Sequence, residues 1–112
     1  MKKPKWMPKK QREQIIEAIN IWCENNDTND TTVTMLGTKE EQADYAPAIL
    51  GMVAHPGKPA VIYSYRKIIE CFMHNNRWDW ETAAEWVDYN IMRGLAYIPA
   101  DENPPCIQED LD

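Results

Sequence analysis

Three cysteines, Cys23, Cys71 and Cys106, and two histidines, His55 and His74, are the soft or nucleophilic side chains of this 112-residue chain. Only Cys71 and His74 stand close. Three residues apart on one helix, they could both reach a single metal ion. A second pair is missing, since the chain contains no CxxC, HxxxH or HExxH. The expectation is therefore no metal, with Cys71 a small buried hydrophobe and His74 on the surface. Three cysteines leave one unpaired whatever the connectivity, which fits a reducing compartment. Neither histidine lies beside a serine in an elbow motif, and no G-x-G-x-x-G or P-loop occurs. With only four glycines, a phosphate-cradling loop is not expected either. No catalytic residue and no cofactor are assigned, and the chain is read as not an enzyme.

The remaining candidates are carboxylates and aromatics near the C-terminus. Glu81, Glu85 and Asp88 are spaced by four and three residues, so a helix would carry them on one face. Such a row could serve acid–base chemistry or hold a hard cation. Nothing apolar around it would raise a carboxylate pKa, so a solvated helix face is the favoured explanation. Trp78, Trp80, Trp86, Tyr89 and Tyr97 fall within twenty residues. If Ala83, Ala84, Val87 and Ile91 form the buried stripe, then Trp86, Tyr89 and Arg93 lie on flanking faces. Trp, Tyr and Arg are the residue types enriched at binding hot spots. The competing expectation is that these rings pack under the rest of the domain, because a small core draws much of its buried area from large aromatics. Trp86, Tyr89 and Arg93, with Glu81, Glu85 and Asp88, are the candidate protein-binding residues.

At the other end, Lys2, Lys3, Lys5, Lys9 and Lys10 surround Trp6, and cationic side chains interleaved with an aromatic suit single-stranded nucleic acid. The rest of the chain opposes that. The formal net charge is −6, and residues 13–112 carry six bases against 18 acids, which repels a phosphate backbone. Nucleic acid is thus a disfavoured partner and protein the favoured one. No apolar run approaches the roughly 18–20 residues that cross a bilayer. The basic start leads into a polar helix instead of an apolar signal-peptide region. No membrane partner is expected, and the expected location is cytoplasmic.

These side chains need positioning, and 112 residues suffice for one core. The charge distribution divides the chain into a flexible basic tail, 1–8, a single domain, 9–100, and an acidic tail, 101–112. A helix from about Pro8 to Glu24 would bury Ile15, Ile16, Ile19, Trp22 and Cys23. A polar loop, 25–30, and a β-prone run, Thr31 to Leu36, follow. Thr38 and Glu41 match a capping box that opens a short helix to about Tyr45, closed by Pro47. The apolar runs Ala48 to Val53 and Ala60 to Tyr63 flank Pro56-Gly57 and read as a β-hairpin. Ser64 is placed to cap a helix over 65–73, with Tyr63 and Ile68 as a hydrophobic staple. Asp79 caps a helix over 80–93, which Gly94 ends in the left-handed conformation. Leu95 to Ile98 reads as a final strand, and Cys106-Ile107 as a fragment of edge strand. The fold class is α+β: a small antiparallel β element, a hairpin plus one or two short strands, packed against about three helices.

Ala48-Ile49-Leu50-Gly51, Tyr63-Ser64-Tyr65, Ile68 to Met73 and Ala83 to Asn90 resemble, in this order, a family of short, mostly uncharacterised proteins of bacteria, their phages and mobile elements. In that family a phrase like AIVG precedes a strand ending in YDYDK, and two helices follow. The resemblance covers a little over half the chain. It departs at Ser64 and Arg66, where the family pattern has aspartates, so no function resting on an acidic pair there carries over. It implies a hairpin-plus-two-helices unit in a phage or mobile-element setting. The expected function is a small non-catalytic interaction protein that binds a host or element-encoded protein, in its most specific form an inhibitor of a defence system. The alternative is a nucleic-acid-associated accessory protein using the basic N-terminal tail.

Overall fold

The computed structural model describes residues 7–25, 33–38, 40–53 and 59–109. Most of the basic tail, the 26–32 part of the polar loop and β-prone run, and the Pro56-Gly57 turn lie outside these residues. The fold is α+β, with helices around a small three-stranded sheet.

The first helix, α1, spans Lys9–Asn25. Pro8 stands just before it, and the Pro8 carbonyl accepts from the Arg12 amide at 3.0 Å, as suits a residue that has no N–H to give. Ile19 is buried, and Ile15 and Cys23 pack against the core. Residues 33–36, part of the β-prone run, form no strand. They are tied instead to distant parts of the chain. The Thr34 amide donates to the Asn103 carbonyl at 3.2 Å and its hydroxyl to the Glu102 carbonyl at 2.7 Å. The Leu36 amide donates to the Tyr63 hydroxyl at 3.1 Å. Gly37 then turns with φ +85°, where a Cβ would approach Tyr45 Cε2 to 2.7 Å, so this turn requires glycine.

The capping box is not reciprocal. Thr38 donates its hydroxyl to Glu41 Oε1 at 2.8 Å, and the Glu41 amide bonds the Thr38 carbonyl, not the side chain. The helix that follows starts later than expected and is a 3-10 helix, Gln42–Ala48, with Pro47 inside it. A short i→i+3 turn loses a single bond to proline, and burial of Tyr45, Ala46 and Ala48 between α1 and the next helix outweighs it.

Strand β1, Ile49–Val53, pairs antiparallel with β2, Ala60–Ser64. Leu50 is an extra residue between the Ile49–Tyr63 and Gly51–Ile62 pairs, a bulge that leaves its side chain exposed. Helix α2, Tyr65–Asn76, follows β2 without a loop. Ser64 is the last strand residue and also the helix cap, its Oγ accepting from the Lys67 amide at 3.3 Å. The helix outruns the expected end at Met73 and stops at Arg77, which adopts the left-handed conformation although it is not glycine.

Asp79 caps α3, Trp80–Trp86, accepting from the Thr82 amide at 2.8 Å. The Thr82 hydroxyl, and after it this amide, hold the Asp79 carboxyl below its ordinary range. The helix continues unbroken through a π turn, Val87–Met92, into α4, Arg93–Leu95. Gly94 is therefore helical and not a left-handed cap, and of the expected strand Leu95 ends the helix while 96–98 form a turn. The amides of Ala96, Tyr97 and Ile98 bond back to the carbonyls of Arg93, Gly94 and Leu95, closing the end with tighter i→i+3 bonds. Strand β3, Cys106–Gln108, pairs parallel with β2, so the sheet is mixed, in the order β1-β2-β3, and not purely antiparallel. A parallel partner needs a long crossover, and residues 65–105 provide it. The stretch from 101, expected as an acidic tail, thus completes the sheet, with Asn103 and Pro105 buried on the way.

Tyr63 is fully buried in the central strand, and burial pushes its phenol up from 10 to about 12 against the opposing effect of the Leu36 amide. Tyr63→Phe leaves the Leu36 N–H without its partner, and urea unfolding at pH 7 is expected to show a loss of about 1–3 kcal/mol. Because the folded pKa is raised, the stability tied to the neutral phenol is complete below pH 10 and is lost as pH rises through about 12. The Phe variant should lose that part of the alkaline dependence.

Candidate functional site

Helix α3, the π turn after it and the first residue of α4 carry the six candidate protein-binding residues. In α geometry a row spaced by four residues rotates by about 40° at each step. Ala83, Val87 and Ile91 are all buried, since that drift keeps the row within one apolar stripe about 100° wide. The Asn90 amide donates to the Trp86 carbonyl at 3.0 Å, giving that carbonyl a side-chain donor where the register changes.

With that row inward, the aromatics turn outward. Trp80 is 45% exposed, Trp86 37% and Tyr89 68%. The Arg93 guanidinium lies 4.2 Å from the centre of the Tyr89 ring, a cation–π contact that holds both side chains on the surface. The acidic row is split. Glu81 and Glu85 face solvent, whereas Asp88 accepts from the Tyr65 hydroxyl at 2.6 Å. That bond, more than burial, raises the Tyr65 phenol to about 12. It also ties the π turn to the first residue of α2. Beside it, Tyr65, Asp88, Met92, Ile107 and Glu109 enclose a shallow cavity of about 280 Å³.

Trp86 meets both expectations at once. Its exposed edge faces water while its inner face packs on Phe72 of α2, ring centres 4.4 Å apart, and on Trp78 at 6.3 Å. Phe72 also meets Trp78 at 6.4 Å and Tyr45 edge-on at 5.5 Å. These four rings, with Glu41, Asp44, Cys71, Asn75 and Asn76, border a cavity of about 360 Å³ between the 3-10 helix, α2 and α3. Sequence reasoning missed Tyr45, Phe72, Glu41 and Asp44 as site residues, since no spacing links positions 41–45, 72 and 86. Burial pushes the Cys71 thiol up to about 12, so at neutral pH it stays protonated and is no nucleophile.

Ile15, Ala18, Ile19 and Trp22 face residues 49–52 across an open apolar groove of about 310 Å³. Of the nucleic-acid candidates, Lys2, Lys3, Lys5 and Trp6 lie outside the described residues. Lys9 and Lys10 are exposed on α1, with Lys9 3.9 Å from Glu13. Among the described residues no group of three or more His, Cys, Asp or Glu is placed to hold a metal, and no helix is long and apolar enough to cross a membrane.

The packing separates two kinds of aromatic on one helix. Tyr89→Ala should change unfolding free energy by less than about 0.5 kcal/mol. Trp86→Ala should cost about 2 kcal/mol, below the roughly 3–5 kcal/mol of a wholly buried Trp, because one face is already wet. Urea titrations of the two variants check both values. Comparison with known proteins finds no protein-family model, no curated protein and no solved structure that matches the chain.

Proposed function

We propose that this chain is a small non-catalytic interaction protein that binds another protein through the outer face of helix 80–95. The observation that carries the reading is the set of large side chains left in water on that helix: Trp80, Trp86 and Tyr89, with Arg93 stacked on Tyr89. Each keeps apolar surface in contact with solvent that a partner would cover. The cation–π pair already orders two of them, which lowers the entropy a partner must overcome. The net charge of −6 supports a basic patch on the partner. The resemblance of residues 46–107 to short phage and mobile-element proteins is the sole support for a host or element-encoded partner, and for the narrower version in which that partner belongs to a defence system. No observation on the described surface favours the nucleic-acid reading.

The test is affinity capture from the natural host with quantitative mass spectrometry. The baits are the unaltered protein, Tyr89→Ala, and Ile21→Ala as a control on an unrelated exposed apolar residue of α1. One protein should be retained equally by the first and third baits and roughly tenfold less or weaker by Tyr89→Ala. Equal retention by all three would contradict the assigned face.

A further inference from the structure

The 360 Å³ cavity bordered by Tyr45, Phe72, Trp78 and Trp86 has a lining of one electrical character. Aromatic faces carry negative quadrupole charge and attract cations. Glu41 and Asp44 add two carboxylates, and Asn75 and Asn76 add amides. The Asn76 side-chain NH2 is directed at the Phe72 carbonyl, at 3.2 Å, so its amide oxygen remains as an acceptor. Among the described residues no cationic side chain lines the cavity. The negative potential is felt by the lining itself, for after burial the charges of Glu41 and Asp44 are the next causes that raise the Tyr45 phenol to about 12.

Arg12 is a base beside the cavity, and its charge acts on the Cys71 thiol of the lining. It reaches Asp44 from α1 at 3.5 Å and partly satisfies that carboxylate, but it is not among the lining residues. Glu41 is different. It is exposed and, among the described residues, accepts the Thr38 hydroxyl on Oε1, which leaves carboxylate lone pairs for a second donor.

Resting on the interaction reading above, we infer that this cavity receives an arginine side chain of the protein partner, its guanidinium stacked on the Trp86 and Trp78 rings with its N–H edge on Glu41. Arginine suits the lining better than other cations. Its planar group stacks on aromatic faces and forks onto carboxylates, whereas a lysine ammonium is a strongly hydrated point charge. A quaternary ammonium has no N–H, so the Glu41 carboxylate and the Asn76 carbonyl would lose water without gaining a donor.

The test uses the full chain, 15N-labelled, titrated at low salt with a capped Gly-Arg-Gly peptide and followed by NMR at the tryptophan indole N–H signals. Trp78 and Trp86 should shift with a saturable curve, with a dissociation constant on the order of 1 mM, while Trp22 and Trp80 stay in place. The same peptide with citrulline, which keeps the shape and loses the charge, should bind at least tenfold more weakly. Glu41→Gln retains the Thr38 contact and the fold, and should weaken the arginine peptide by about tenfold. The assignment is overturned if no saturable shift appears, if citrulline or tetramethylammonium binds as well as arginine, or if Glu41→Gln changes nothing. Capture that still depends on Tyr89 alongside such a failure would leave the interaction face standing and remove only the arginine pocket.

Discussion

Three consecutive residues, Tyr63-Ser64-Tyr65, hold together parts of the chain that are far apart in sequence. The strand β2 becomes helix α2 at this point with no loop between them, so each residue faces a different neighbour. Tyr63 points into the core and its hydroxyl accepts from Leu36, fixing residues 33–38. Ser64 caps α2. Tyr65 points outward and donates to Asp88 on the π turn. Strand alternation alone would put residues 63 and 65 on one face, so it is the change from strand to helix at Ser64 that turns Tyr65 away from the core that holds Tyr63. A shift of one residue in the β1–β2 register would turn Tyr63 out of the core. The bulge at Leu50 lies next to the Ile49–Tyr63 pair and sets that register.

The aromatic site follows from this junction. Once α2 leaves the sheet at Ser64, Phe72 lies two turns along it, where Tyr45 of the 3-10 helix meets one edge and Trp86 of α3 lies over its ring. Aromatic pairs of this kind contribute about 0.5–1.5 kcal/mol each beyond area burial, enough to hold Trp86 in place while part of it stays wet. The rings meet around a space that they do not fill, and the residues available to border it are carboxylates and amides. A structural cluster and a cation-accepting cavity are here the same set of side chains. That explains why the question of whether the tryptophans are core or binding surface has no single answer for Trp86.

What was legible in the sequence was local. Ser64 and Asp79 act within four residues of themselves, and both cap their helices. The two hairpin strands and the inward row of Ala83, Val87 and Ile91 were readable for the same reason, a period that spans one element. The misreadings are non-local. Cys106–Gln108 joins the sheet in parallel only because forty residues of helix and turn carry the chain back to β2. Leu95 to Ile98 has the composition of a strand, yet the preceding helix unwinds through it by i→i+3 bonds. Pro47 is a helix breaker by rule and sits inside a 3-10 helix because burial of Tyr45 and Ala48 compensates for one missing donor. The exposed aromatic face was anticipated from residue types, whereas the cavity beside it, built from positions 41 to 86, has no one-dimensional signature.

The claim that the junction holds the site helix is tested most directly by native-state amide hydrogen exchange on Tyr65→Phe. That change removes one hydroxyl and its bond to Asp88 and leaves the ring in place. Amides of the π turn, 87–92, should exchange roughly three- to tenfold faster, matching the loss of about 1 kcal/mol from a partly exposed hydrogen bond to a charged group. Amides of β1 and β2 should be unchanged. Exchange that is unaltered at 87–92, or accelerated equally throughout the protein, would contradict it.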